Sequence, residues 1–384
     1  MTRTSAITLV KRRTQSDPAG PSDAASPSDA AGPSVRQARR GHGRVTLSDV
    51  AAAAGVTSIT VSRYLREPGV VAAATAERIR AALAETGYVP NKQAGLLASG
   101  RSNIVAALLP NLANSIFAET AQGLSDVLQR AGHELLIAST GYSLEREEEQ
   151  LRALLGWHPA AVVVTGRRHS PGARRLLVDA QQSGTPVIEI WDRHAEAARR
   201  RGAELTQIGF NHDEVGRAMA EHLLRAGHRH LAYVDSGVAE DYRAHERGLA
   251  FAEHARAQGA RVEVIVAPRG DAFDAGRHVL GVLLAAGPPA LSAAAFANDH
   301  LASGALLEAA RRQVAVPGRI ALLGFGDFAI ARQLQPALSS VMLPRYEIGT
   351  AAAQALLDAL REGRPAASQS LTWTLVARGS TATP

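Results

Sequence analysis

From Asn103 onward the sequence alternates short apolar runs with amphipathic stretches, and this alternation constrains the fold more than any other feature. "IVAALLP", "HELLIAS", "AAVVVTG" and "PVIEIWD" read as buried strands. "FAETAQGLSDVLQRAG", "LEREEEQLRALLGW" and "ARRLLVDAQQSG" read as the helices between them. The pattern resumes after residue 205, with strands "QIGFN", "HLAYVDS", "VEVIVA" and "LSAAAFAND". Its helices there are "EVGRAMAEHLLRAG", "ERGLAFAEHARAQG", "DAGRHVLGVLLAAG" and "LASGALLEAARRQ". Strands that are apolar throughout must be covered on both faces, which means parallel sheets built from βα units. Two consecutive sets predict an α/β region of two doubly wound parallel-sheet lobes, 102–384, with ligands at the carboxyl ends of the strands.

The chain before this region is different. Residues 1–44 are dominated by Ser, Pro, Ala, Asp and Gly, ending in the basic "RQARRGHGR". Such a segment cannot bury enough apolar surface to offset its chain entropy and is expected to be a disordered tail. Residues 45–90 predict an all-α unit: a helix over Leu47–Ala54 with Ser48 and Asp49 near its start, a second from Thr57 or Ser58 to about Arg66, and a third over Thr75–Thr86 stopped by Gly87. "DVAAAAGVTSITVSRYL" sets an alanine-rich helix against a polar one across Gly55, the pattern of a helix-turn-helix. Val56 and Val61 can pack inward. That leaves Ser58, Ile59, Ser62 and Arg63 facing out, types that reach base edges in a major groove: Arg can bridge two acceptors on guanine, and Ile can meet a thymine methyl.

The flanks sharpen this. The stretch Val45–Gly100 strongly resembles the DNA-binding headpiece of the lactose-repressor (LacI) family, carrying "VTLSDVA", "AGVTSITVSR" and "GYVPN" in order. "NSIFAE", "RAGHRHLAYV", "FANDHLASGAL" and "IALLGFGD" extend the resemblance to the C-terminal region, for which it implies a periplasmic-binding-protein-like effector domain. It also implies DNA-binding roles for Thr57, Ser58, Ile59, Thr60, Ser62 and Arg63. Residues 91–101 are the implied hinge helix and linker, with Asn91–Ala98 matching the family's hinge helix and Leu97 its leucine wedged into the minor groove. The implied partners are palindromic operator DNA, a small-molecule effector and a second copy of the chain. The implied activity is repression of transcription. No cofactor and no metal are implied.

"LLPNLANSIFAE", "TGYSLEREEEQLRALLGW", "VVVTGRRHS" and "PVIEIWD" look closest to the gluconate-operon repressor branch, which implies a sugar-acid effector such as gluconate or a ketogluconate; a neutral or a phosphorylated sugar is the alternative. An aldonic acid needs a cation for its carboxylate and acceptors for its hydroxyls. Arg167, at a strand end, is the candidate cation, with His169 beside it. Asp299 in "FAND" is the candidate hydroxyl acceptor, though that position also suits a helix cap. Ile116 and Phe117 would pack on the carbon chain. Asp192, Asn211, Arg243 and His245 complete the expected set. Two departures from the family stand out: His245 occupies the place of the Arg in its R-x-x-G motif, and Asn211 replaces a common Asp.

Other classes lack their marks. There is no G-x-x-x-x-G-K-[ST] loop and no strand followed by G-x-G-x-x-G, so a sugar kinase or dehydrogenase is not expected. The 13 histidines show no metal-binding spacing, and the absence of cysteine removes thiolate chemistry. The net charge of +6 favours an anionic partner only weakly. No apolar run approaches the ~20 residues that span a bilayer. The opening "MTRTSAITLVKRRTQ" places its apolar piece before its basic residues, the reverse of a secretory leader, so a cytoplasmic location is expected. The C-terminal "LTWTLVARGSTATP" lacks a leucine heptad, which favours a homodimer over a tetramer.

Overall fold

The computed structural model describes residues 45–89, 102–112, 116–193, 205–285 and 290–382. The expected tail, 1–44, and the expected hinge, 91–101 with Asn91 and Leu97, lie outside the described residues. The chain divides into two compact units, Met1–Asn91 and Lys92–Pro384.

The first unit holds three helices: α1 (Leu47–Ala54), α2 (Ser58–Arg66) and α3 (Ala73–Thr86). Thr46 opens α1, its N–H and hydroxyl donating to Asp49 Oδ2 at 2.7 and 2.8 Å. Asp49 therefore serves the helix start by reaching back, and Ser48 does not take part in that cap. Gly55 closes α1 at φ 64°, a left-handed conformation that costs a residue with a Cβ about 1 kcal/mol. Val50, Ala51, Ala54, Val61, Ile79 and Ala82 form a small core, with Val56 and Leu83 packed against it. The small alanines let α1 approach both partners closely.

The second unit is built on two six-stranded sheets. In chain order its elements are β1 (Ile104–Leu109), α4 (Ala118–Arg130), β2 (Glu134–Ser139), α5 (Leu144–Leu155), β3 (Ala161–Thr165), α6 (Pro171–Gln182), β4 (Val187–Asp192), β5 (Thr206–Phe210), α7 (His212–Arg225) and β6 (His230–Asp235). There follow α8 (Tyr242–Ala257), β7 (Arg261–Val266), α9 (Ala272–Ala285), β8 (Ala293–Phe296), α10 (Asp299–Arg311), β9 (Ala321–Gly326), α11 (Ala329–Gln333), β10 (Ser339–Met342), α12 (Arg345–Glu362), β11 (Gln369–Ser370) and β12 (Thr374–Val376). The first sheet runs β11-β5-β4-β3-β1-β2 and the second β12-β10-β9-β8-β6-β7. All pairings are parallel except β10 with β12.

The lobes are not the two consecutive blocks expected from the strand pattern. Thr206–Phe210, read as the opening of the second set, pairs with β4 and completes the first sheet. The chain crosses at Asn211, and α7 then packs on α8 in the second lobe. It returns after β10, where α12 packs on α4 and β11 pairs with β5, and crosses again to β12. Periodicity could not reveal this, because a strand has the same apolar pattern whichever sheet it joins.

Candidate functional site

The headpiece presents α2. Ile59 is 71% exposed, and Arg63 is exposed beside it, four residues on and hence on the same face. Ser58 and Ser62 are half-buried rather than fully outward; Ser58 Oγ lies 3.5 Å from Ser48 Oγ. Thr57 and Thr60 serve the helix start: Thr57 Oγ1 accepts the Thr60 N–H at 3.2 Å, and the two hydroxyls lie 2.9 Å apart. Ile59 and Arg63 are thus exposed together on one face of α2.

In the two-lobed unit a cavity of about 60 Å³ lies where the carboxyl ends of the two sheets face each other. Lobe one contributes Ile116 and Phe117 after β1, Tyr142 after β2, and Trp191 at the end of β4. Lobe two contributes His212 at the start of α7, Asp241, Arg243 and Arg247 around the start of α8, Phe325 at the end of β9, and Asn298, His300 and Phe328 beyond β8 and β9. A larger cavity of 880 Å³ lies at the opposite end of the first sheet, among residues such as Ala160, Pro186 and Thr206 that precede or begin its strands. Position, rather than size, selects the smaller one, because open parallel sheets bind ligands at their carboxyl ends.

Arg243 and Arg247, four residues apart on one face of α8, both line the cavity. Arg247 is 3% exposed; it donates from Nη1 to His212 Nδ1 and from Nη2 to the Ala297 carbonyl, each at 3.0 Å, and lies 3.7 Å from the centroid of Phe325. His212 Nε2 in turn donates to the Trp191 carbonyl at 3.0 Å. This network assigns the neutral Nε2–H tautomer. It agrees with the lowered pKa of His212, caused by burial, which outweighs Asp192, with Arg247 adding to it. Trp191 has φ 74°, a conformation few non-glycine residues adopt, and its ring is held edge-on by Phe117 and Phe210 at 5.2 and 6.0 Å.

Behind the cavity Asp192 is buried; its Oδ2 accepts the Arg167 N–H at 3.0 Å and the Tyr242 hydroxyl. Burial alone would raise its pKa, but His212, Arg243 and Arg167 hold it well below the usual carboxylate range. The guanidiniums of Arg167, Arg168 and Arg243 lie 5.3, 4.6 and 5.0 Å from the Tyr242 ring centroid. Gly166 makes this crowding feasible: a Cβ there would meet the Tyr242 hydroxyl at 2.5 Å and Arg243 Nη1 at 2.6 Å. Arg167 and Arg168 then cross the cleft mouth to one carboxylate, Glu246 Oε1 on α8, at 2.8 and 3.0 Å. In this linked set Arg167, Arg168, Arg243 and Arg247 outnumber Asp192, Asp241 and Glu246 by one positive charge.

The expected effector residues separate accordingly. Ile116, Phe117 and Arg243 line the cavity, and Asp192 lies directly behind it. Arg167 stands at the rim, its charge already met by Glu246. His169 is buried inside lobe one between Glu147 (2.6 Å) and Glu189 (3.2 Å), away from the lining. Asn211 caps α7, its Oδ1 accepting from the N–H groups of Asp213 and Glu214. His245 turns outward to Asp235 at 2.6 Å. Asp299 is buried as a structural tie, accepting the Phe328 N–H at 2.8 Å and the Ser340 hydroxyl at 2.6 Å; its neighbour Asn298 is the one on the lining. Burial raises the Asp299 pKa to about 6. Sequence reasoning missed most of the lining, Trp191 and Arg247 among it. A tryptophan closing a buried strand, and an arginine one helical turn beyond Arg243, were the available signals.

A helix-turn-helix unit followed by a two-lobed domain with a cavity between its lobes defines a ligand-responsive DNA-binding regulator. Residues 46–91 match the family described as bacterial regulatory proteins, lacI family, and residues 220–381 match the periplasmic binding protein-like domain. The chain belongs to the LacI family of transcriptional repressors. The "HTH-type transcriptional regulator GntR" of Pseudomonas aeruginosa is 40% identical over 347 residues, spanning 89% of this chain and 97% of that protein. The "HTH-type transcriptional regulator IdnR" of Escherichia coli is 32% identical, spanning 84% and 93%. A crystal structure of a LacI-family regulator from Silicibacter pomeroyi superposes with a TM-score of 0.80 at 34% identity, covering 88% of this chain and 99% of that one. The relatives are regulators, not enzymes, and members of the family bind operator DNA and small-molecule effectors, typically as dimers. Among the described residues no helix is long and apolar enough to cross a membrane.

Proposed function

We propose that this repressor controls sugar-acid catabolism and that its effector is a six-carbon sugar acid, gluconate or a ketogluconate. The observation that carries the reading is the pair of buried cations, Arg243 and Arg247, on the cavity lining. A neutral sugar would leave that charge uncompensated, whereas a carboxylate supplies a charge-assisted bond of roughly 1.5–3 kcal/mol. The carboxylate seat is assigned to Arg243 and Arg247 in place of Arg167, with Asp241 and Asn298 facing the hydroxyls. The resemblance to gluconate-operon repressors and to relatives bearing the names GntR and IdnR supports the same ligand class.

The present cavity is smaller than the ~300 Å³ and upward typical of ligand pockets, so the lobes must part to admit the acid and close on it afterwards. Closure repositions the lobes and so weakens the hold of two headpieces on a palindromic operator. Each half-site is read by α2, with Ile59 and Arg63 on base edges, Ser58 and Ser62 beside them, and Thr57 and Thr60 holding the helix end. Edge strands β2 and β7 expose Leu136, Val264 and Val266 and offer the apolar seam for a homodimer.

Calorimetric titration of the purified protein with gluconate, 2-ketogluconate, 6-phosphogluconate and glucose, paired with operator release, tests the reading. One or more of the acids should bind and release DNA, glucose should do neither, and Arg247→Ala should abolish the acid response while sparing operator affinity. Heat from glucose alone, or release of DNA by none of the acids, sinks it.

A further inference from the structure

Two imidazoles line the cavity, His212 and His300, and they are held in different ways. His212 is committed on both nitrogens: Nε2–H donates to the Trp191 carbonyl and Nδ1 accepts from Arg247. A proton added at Nδ1 would oppose the Arg247 N–H, so this ring is kept neutral. His300, the second residue of α10, is half-buried, and its ring stacks on Phe328 at 4.7 Å and 16°. Phe273 packs on it at 5.2 Å. These contacts fix the imidazole by its faces and leave its nitrogens alone. Among the described residues no group hydrogen-bonds to His300, and neither of its nitrogens is shut off from solvent.

Burial lowers the His300 pKa and outweighs Asp271, which acts on it from the start of α9, so the ring is mostly neutral at pH 7. The other charges on the surrounding elements are met elsewhere. Asp274 pairs with Arg277 on α9, where His278 is exposed, and Asp327 pairs with Arg378 beyond β9. Arg345, whose guanidinium covers Phe328, pairs with Glu119. Asp299, next to it on α10, is tied to the Phe328 N–H and the Ser340 hydroxyl. Asp241, the carboxylate of the lining, accepts the Ala244 N–H at 3.3 Å and does not act on the ring. The protein therefore sets no carboxylate against the His300 nitrogens.

Resting on the sugar-acid reading, we propose that effector binding is coupled to proton uptake: the bound acid draws a proton from solvent onto His300 and is held against that imidazolium as well as by Arg243 and Arg247. The cavity of about 60 Å³ is only a few ångström across, so with the lobes closed an anion seated on the arginines lies close to His300. At such range, out of bulk water, one opposite charge favours the charged ring by about ten-fold or more. Only the proton is transferred, and no bond of the effector breaks. A neutral sugar brings no charge and recruits no proton.

Calorimetric titration of full-length protein at about pH 7, in two buffers of different ionisation enthalpy, should show about half a proton taken up per gluconate or 2-ketogluconate bound. Affinity should be about five- to ten-fold higher at pH 6 than at pH 8. His300→Phe keeps a ring on Phe328, and His300→Gln keeps a neutral polar group; in either, the uptake should vanish and the affinity become flat over this range. Asp299, whose pKa of about 6 lies in the same range, is retained in all three proteins and cancels in the comparison. If the variants bind too weakly to measure, the Cε1 resonance they remove from ¹³C-histidine-labelled native protein identifies His300. That resonance should titrate at higher pH with the acid bound. Uptake absent from the native protein, uptake that persists without His300, or a ring that titrates alike with and without acid overturns the coupling and leaves the sugar-acid reading standing. Glucose binding with neither acid, or no binding of either acid, overturns both.

Discussion

Between Glu147 and Glu189 the imidazole of His169 is screened from solvent, and its side chain is fully buried. Burial opposes its charge, but the hydrogen bonds and the charges of the two carboxylates outweigh burial and push its pKa up to about 9. An unfolded histidine titrates near 6.5, so the fold favours the protonated ring. That stabilisation is fully present below about pH 6.5 and is lost as pH rises through about 9. A shift of this size corresponds to on the order of 3 kcal/mol. The melting temperature should therefore fall from about pH 7 to about pH 9.5, and fall less in His169→Gln; superimposable pH profiles for the two proteins would rule the imidazolium out as the cause. The same residue shows what one sequence can and cannot tell. A histidine two positions past Arg167 in a strand-end loop is read as ligand-facing. Its actual partners come from α5 and β4, and no local pattern announces them. Arg243 and Arg247 were legible in principle, because their spacing alone puts them on one helix face.

At the scale of elements, α2 carries the clearest consequence. Its inner face is anchored by Val61 and its start by the Thr57 cap, so Arg63 can be changed without disturbing the helix. Arg63→Ala should cost about 1–3 kcal/mol per half-site and relax base preference at one symmetric position of the operator. Equal weakening on operator and on random DNA would instead assign Arg63 to the phosphates. Most elements could be read from periodicity, including every strand from β1 to β8. The short β10, β11 and β12 were not, because runs of two to four residues fall below any recognisable alternation. The membership of β5 was hidden for a different reason: sheet assignment depends on which edge is free, and that is a property of the assembled lobe.

Across the whole molecule, the contacts of Arg167 and Arg168 with Glu246 at the cleft mouth, and of Asp192 with Tyr242 behind the cavity, join the lobes. They favour closure independently of any effector. Glu246→Gln should shift the balance towards the open cleft and weaken effector binding by about five- to ten-fold, within the usual range of coupling energies. The difference should narrow at high salt, since Arg168 is exposed. An unchanged affinity at low salt would deny the contacts any part in closure. The threefold crossing of the chain between lobes has a consequence of another sort, for synthesis. By Phe210 the ribosome has made five strands of the first sheet, yet the helix that covers α4 and the strand that borders β5 come only with residues 345–370. Until then the Thr206 hydroxyl lacks the Ala366 carbonyl, and the Gln207 N–H lacks Ser368 Oγ. The earliest-made lobe is therefore finished only as the chain nears its end. A nascent chain stalled near its end carries an open sheet edge at β5, and a late stop codon injures the lobe encoded furthest upstream.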